Sequence, residues 1–301
     1  MESTSRRGLL YGAAAYGLWG LFPLYWPLLE PGGALEILAH RILWSLVFVA
    51  VVLVATRRGL RDLPRDRRAR GLLAIASVLI GVNWGIFIWA VNHHHVLESS
   101  LGYFINPLVS VALGVLVLDE RLRRVQWIAV GVATLGVVVL AVDAGGFPWI
   151  ALTLAFSFGT YGLVKKVVGV QPLEGLVVET AILVPLAIAY LLWLTIAGDS
   201  TFTSHGADHT LLLMSGGAVT AIPLLFFAAA VAAAPLSRLG VLFYINPMIQ
   251  FAVGTFVRHE ALGAGRLVGF VIVWVALIVF TADTATNHRR QLALMAEASA
   301  A

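Results

Sequence analysis

Between its charged and polar breaks the chain contains ten windows of mostly apolar residues. They run approximately over 8–28, 34–56, 71–91, 97–118, 125–142, 148–165, 173–197, 210–233, 236–257 and 265–283. About 20 helical residues rising ~1.5 Å each cover a hydrocarbon layer of about 30 Å, so each window has the length of a membrane-spanning helix. The break between the eighth and ninth, "AAAPLS", is the least marked. The first window follows Arg6 and Arg7, as the apolar core of a signal peptide would. It is long for that and lacks a small-residue cleavage site before Pro31, so it reads as a retained helix.

Composition agrees. Of 301 residues, 60% are hydrophobic and 12% charged, against about 25% charged in a soluble domain, and mean hydropathy is +0.91. The chain reads as an all-α integral membrane protein. It has no cysteine, which excludes disulfide and thiol chemistry. The net charge of +4 does not point to nucleic acid, because the basic residues sit in the connections.

Their distribution sets an orientation. With the amino terminus in the cytoplasm, 17 of the 20 Lys and Arg residues fall on the cytoplasmic side, among them the run "RRGLRDLPRDRRAR". Arg258 and Arg266 lie outside, and Arg41 lies within a helix. Positive charge is retained on the cytoplasmic face, so both termini are expected there.

The segment "GYFINPLVSVALGVLVLDERL" (102–122) returns as "LFYINPMIQFAVGTFVRHEAL" (242–262). An offset of 140 pairs Asn106 with Asn246, Pro107 with Pro247 and Glu120 with Glu260. Asn-Pro followed by Glu at fixed distance is less easily matched by chance than apolar residues are, and it suggests a tandem duplication. Each half holds five helices, an odd number, so the second half would enter the membrane from the opposite side. The expected architecture is therefore two inverted five-helix repeats, 1–143 and 144–283, followed by a cytoplasmic tail, 284–301. Secondary transporters use such repeats to alternate access to a central site. A duplication kept for packing alone would leave the same pattern.

Pro107 and Pro247 fall near the middle of their windows and would kink the fourth and ninth helices. Backbone groups freed at that depth must be buried in protein or line a wet cavity, and Asn106 and Asn246 could serve them or a ligand. A static packing kink is the alternative. Ionisable groups inside spans are costly, which singles out His40, Arg41 and Glu179. His40 and Glu179 are repeat counterparts at an offset of 139, as a proton-coupling pair would be; His40 could equally be a packing histidine, and Arg41 could snorkel outward. Glu98 either complements the amino terminus of its helix or pairs with Arg41. Asn83 and Asn92 either join helices or bind ligand.

The aromatics of "YGLWGLFPLYW" (16–26), Trp19 among them, form either a stacking wall or interfacial anchors. The histidines of "NHHHV" (92–96) point about 100° apart on a helix and make a poor metal grip. Gly8/Gly12 and Gly265/Gly269 read as close helix contacts. Glu120 and Glu260 read as boundary charges. No nucleotide loop, H-E-x-x-H or G-x-S-x-G is present, so neither ATP-driven transport nor catalysis is expected, and no cofactor or metal.

Four segments, "AAYGLWGLFPLYW", "EILAHRILWS", "WAVNHHHVLESSLGYFINPL" and "LGVLFYINP", resemble the RarD family, within the EamA type of the drug/metabolite transporter superfamily. The resemblance covers nearly all ten windows. It implies a ten-helix fold of two inverted repeats with cytoplasmic termini, and a multi-pass permease of the bacterial inner membrane. The family is linked by name to chloramphenicol sensitivity. It supports His40, Arg41, Asn92, Glu98, Tyr103, Asn106 and Pro107 as motif positions, with Glu179 less firmly placed. Pro27 stands where the family carries Lys, and Phe243 where it carries Gln; both changes bear on substrate preference.

The expected function is secondary active transport, as an exporter of small amphipathic metabolites or drugs. The alternative is a non-transport membrane protein, either a lipid-modifying enzyme or a scaffold. The expected cavity residues are Trp19, Asn83, Asn92, Tyr103, Asn106, Tyr244 and Asn246. The coupling or ion-pair residues are His40, Arg41, Glu98 and Glu179. Expected partners are a small-molecule substrate, the lipid bilayer, protons and a second copy in a homodimer, but not nucleic acid.

Overall fold

The computed structural model describes residues 2–55, 66–118, 122–143, 146–169, 172–233 and 242–300, which are helical with no strand among them. The helices are α1 (Glu2–Gly20), α2 (Phe22–Tyr25), α3 (Ala34–Ala55), α4 (Arg67–Asn92), α5 (Val96–Leu118) and α6 (Arg124–Asp143). They continue with α7 (Trp149–Val168), α8 (Pro172–Ala197), α9 (Gly206–Ala233), α10 (Ile245–Ala252) and α11 (Ala264–Ala300). A 3-10 turn, Trp26–Leu29, follows α2, and a π turn, Val253–Val257, extends α10.

Each apolar window overlaps one or more of these helices. Among the described residues, seven helices are long and apolar enough to cross a membrane: α3, α4, α5, α6, α8, α9 and α11. Their outward side chains are apolar too, with Leu186 71% and Ile196 86% exposed, as a lipid-facing surface requires. Residues 234–237 of the "AAAPLS" break and Glu120 lie outside the described residues. Helix α11 does not stop where the apolar window ends at 283 but continues to Ala300.

Local chemistry accounts for several ends. Asp66 caps α4, its carboxylate accepting from the N–H groups of Arg68 (3.2 Å) and Ala69 (2.9 Å). Gly198, at φ +82°, terminates α8, and the Asp199 N–H closes back on the Leu194 carbonyl (3.0 Å). Pro107 sits inside α5. Pro247 sits in the first turn of α10, just after a turn at 243–244, where a missing N–H costs little.

The chain forms two compact units. One comprises Met1–Asn106 and Ile150–Glu260, the other Pro107–Trp149 and Ala261–Ala301. In the first, α3 packs on α8 and α9, while α1 packs on α9 and α10. Its core is centred on Trp26, Phe87, Ile88, Val91, Leu154 and Leu213. At Gly217 the α9 backbone lies so close to α3 that a Cβ would run into the Trp44 carbonyl. In the second unit α6 and α11 pack along their length.

Candidate functional site

Arg41, on α3, is buried in the first unit with 3% of its surface exposed. Its Nε donates to Thr220 Oγ1 on α9 (2.8 Å), and the Thr220 hydroxyl donates onward to the Gly216 carbonyl (2.8 Å). The guanidinium lies 4.0 Å from the Trp84 ring centroid, 4.9 Å from Trp26 and 5.7 Å from Phe22. Such contacts are each worth about 0.5–2 kcal/mol, more as water is excluded. No carboxylate among the described residues is within ion-pairing distance of Arg41, and its Nη1 is buried with no hydrogen-bond partner. The pairing with Glu98 is not formed; Glu98 instead faces His95, one turn back at 3.7 Å.

Hydroxyls around this cation are engaged. Tyr25 bonds the Leu212 carbonyl (2.7 Å) and Ser215 Oγ (2.9 Å). Tyr103 donates to Asn83 Oδ1 (3.3 Å), whose Nδ2 reaches the Leu154 carbonyl and Ser157 Oγ at 3.0 Å each, tying α4 to α7. Of the aromatic run, Trp26 is fully buried rather than interfacial, and Trp19 is half-buried, its ring 5.8 Å from Phe227.

The remaining sequence-derived residues are dispersed over the first unit. His40 is 4% exposed, stacks on Phe202 at 4.5 Å, and neither ring nitrogen has a partner. Glu179 accepts from Lys165 Nζ (2.8 Å) and the Tyr161 hydroxyl (3.1 Å). Asn106 Nδ2 donates to the Ala155 carbonyl (3.1 Å), and Asn246 Oδ1 accepts from Gln250 (2.7 Å). Asn92 Oδ1 is buried without a partner, and Tyr244 is half-buried against Phe243 at 6.2 Å. His93 and His95 stack on the Trp89 ring, at 4.5 and 5.7 Å.

Three groups were missed. Glu36, 2% exposed, accepts from the Thr201 N–H (2.7 Å), the Thr201 hydroxyl (3.0 Å) and Ser200 Oγ (3.2 Å), and Thr201 also bonds His209 (2.9 Å). Its signal was an acidic residue four positions before the His-Arg pair in an apolar window. The apolar window 148–165 ends at Lys165, but α7 runs on to Val168 and turns the side chain onto Glu179. Glu260 is more than a boundary charge: its carboxylate accepts from the Val96 (2.6 Å) and Leu97 (2.8 Å) N–H groups and caps α5. Burial holds the Glu260 carboxyl above its ordinary range, against the lowering pull of those two N–H bonds and of His95 and His94.

The sequence profile of the EamA-like transporter family matches residues 6–142. A crystal structure 18% identical in sequence superposes with a TM-score of 0.58, covering 91% of this chain and 98% of the other, a likeness of fold alone. "Uncharacterized transporter YojE" of Bacillus subtilis is 45% identical, over 93% of this chain and 95% of its own. The protein is thus a membrane transporter built of apolar helices. Protein RarD of Streptomyces exfoliatus is 54% identical over 99% of this chain and 95% of its own. "Chloramphenicol-sensitive protein RarD" of Pseudomonas aeruginosa is 34% identical over 95% and 97%. The chain belongs to the RarD family, within the EamA type of the drug/metabolite transporter superfamily.

Proposed function

We propose that the protein is a secondary active transporter that exports small amphipathic metabolites or drugs across the bacterial inner membrane by alternating access. In this reading ten segments cross the bilayer as two inverted repeats, 1–143 and 144–283, with both termini and the tail 284–301 in the cytoplasm. The 140-residue offset and the placement of Lys and Arg support it. One structural observation carries it furthest. Among the described residues every buried polar or charged side chain except Gln126 belongs to the first unit, and they come from helices of both halves of the chain. Polar groups at membrane depth mark a solute path more often than they mark a lipid-facing scaffold. The relative named for chloramphenicol sensitivity supports a drug-sized, amphipathic cargo. Protons or counter-substrate drive the cycle, His40 and Glu179 are the titrating candidates, and the protein works as a homodimer without catalytic turnover.

The test is flux. Proteoliposomes loaded with a pooled set of metabolites and small drugs are followed by mass spectrometry, with and without an imposed pH gradient. Selective loss from protein-bearing vesicles is expected, growing with the gradient and falling in Glu179→Gln. Gradient-independent loss would replace proton coupling with exchange. Absence of any protein-dependent loss, with folded protein in the bilayer, would sink the transport reading.

A further inference from the structure

We infer that Arg41 anchors a carboxylate carried by the transported molecule, so that the substrate is a small monoanion with an apolar body. The inference rests on the transport reading and narrows it to a substrate class. A guanidinium keeps its charge under all ordinary conditions, so Arg41 cannot escape burial by losing a proton as a lysine can. Buried charge is retained when something neutralises it, yet Arg41 has no carboxylate partner among the described residues. The ring faces of Trp84, Trp26 and Phe22 compensate part of the charge but accept no hydrogen bond in its plane.

The surplus around Arg41 is a surplus of donors. Arg41 Nη1 is buried without an acceptor, and so is the indole Nε1 of Trp26, whose ring touches the guanidinium. Guanidinium and indole nitrogens can only donate, whereas a carboxylate can only accept, and its two oxygens match the guanidinium fork. The nearby hydroxyls leave this unmet: Thr220 accepts from Nε alone, Tyr25 and Tyr103 donate to other partners, and none of the three accepts from Nη1 or brings a negative charge. The charge that fits is single: Arg41 is the one buried Lys or Arg among the described residues, and the half-buried Lys165 is held by Glu179. A phosphate dianion would bring a second negative charge with nothing to meet it, and an amine would add to the positive charge. The indole and phenyl faces that flank Arg41 suit the apolar body of such an anion.

The test uses full-length protein in detergent micelles and calorimetric titration with head-group series that share one body. The probes are 3-phenylpropionate, its primary amide and 3-phenylpropylamine; indole-3-acetate with its amide; and octanoate with its amide, which separates free aliphatic acids from aromatic ones. Inorganic phosphate and protein-free micelles are run beside them. In the wild type at least one carboxylate should bind about tenfold tighter than its amide, the step a single directed charge contact makes. Arg41→Gln should remove the preference and Arg41→Lys should keep part of it, since charge survives and the fork does not. The wild-type series decides the question even where a variant fails to fold. Equal binding of acid and amide, tighter binding of the amine or of phosphate, or binding of none of the carboxylates overturns the anion site. Vesicle flux of neutral or cationic compounds alongside that result would leave the transport reading intact. Carboxylate binding without flux would do the reverse.

Discussion

Two ways of closing helices on one another meet in this chain. In the unit formed by Met1–Asn106 and Ile150–Glu260, the interior is stitched by polar side chains that cross between helices: Arg41 to Thr220, Glu36 to Thr201, Asn83 to Ser157, Lys165 to Glu179. In the unit formed by Pro107–Trp149 and Ala261–Ala301, α6 and α11 approach on glycine. A Cβ on Gly269 would strike the Leu140 side chain, and one on Gly265 the Asp143 carboxylate. Polar pairs appear there at the ends, Arg123 with Asp283 at 2.5 Å and Arg266 with Asp143 at 3.9 Å, all partly exposed. Exposed pairs are worth about 0–1 kcal/mol, so glycine-mediated packing carries that unit. Interior polarity costs stability and is kept where it does work, whereas a dry glycine seam is the less costly route to cohesion.

The sharpest way to break this contrast is at Lys165 and Glu179. Their side chains are 15% and 2% exposed, so Lys165→Met leaves a buried carboxylate whose remaining hydrogen-bond partner among the described residues is Tyr161. Loss of one partner from such a pair costs about 3 kcal/mol or more, while replacing both with apolar residues can be close to neutral. Thermal unfolding in detergent should show a large drop for Lys165→Met and recovery of most of it in Lys165→Met with Glu179→Leu. A neutral single variant would mean that the pair does not stitch α7 to α8.

The matching variant in the other unit is Gly269→Leu. Overpacking a closed contact costs about 1–3 kcal/mol. Gly131, on the same α6 that faces Gly269, has nothing within 4 Å of its Cβ position, so Gly131→Leu should change stability by about 0.5 kcal/mol or less. Equal effects from the two would mean that α6 and α11 are not in close register. The Gly265/Gly269 pair was readable in the sequence as a helix contact, because small residues four apart share a face.

What the sequence made legible follows from one-dimensional patterns. Apolar length located the helices, and the rarity of charge within them exposed His40, Arg41 and Glu179. Partners across helices were not legible, because a period gives a face and not the helix that covers it. Thr220 lies 179 residues from Arg41, and Trp84 lies on a separate helix, so nothing near "AHR" announces the aromatic box. Lys165 turns on a few residues of helix: a boundary at 165 makes it a connection residue, whereas one at Val168 turns it onto Glu179. Glu260 was underread for a related reason, since a carboxylate at the end of one helix does not reveal that it faces the start of another.

The smallest effects sharpen the comparison at the helix starts. Glu260 caps α5 from a partly buried position, and Asp66 caps α4 in full exposure, so their pH dependences should run in opposite directions. The Glu260 carboxyl is held above its ordinary 4.5 chiefly by burial. Between that value and the raised one, the folded protein binds more protons than the unfolded chain. Its contribution is therefore fully present below 4.5 and is lost as pH rises through the folded value. Glu260→Gln should cost about 1 kcal/mol at neutral pH, by replacing one of two acceptors with an amide donor, and the deficit should widen as pH falls into that window. His94 and His95 face the same side chain, so the difference between wild type and variant is the quantity to follow. Asp66 is held below its ordinary 3.8 by the N–H bonds from Ala69 and Arg68, the first the larger cause. Its contribution is present above 3.8 and lost as pH falls through the folded value. Asp66→Ala should show a smaller deficit than Glu260→Gln at neutral pH, and one that closes on acidification. Parallel slopes for the two would mean that burial does not separate these caps, and the distinction between a polar interior and a solvated edge would fail at α5.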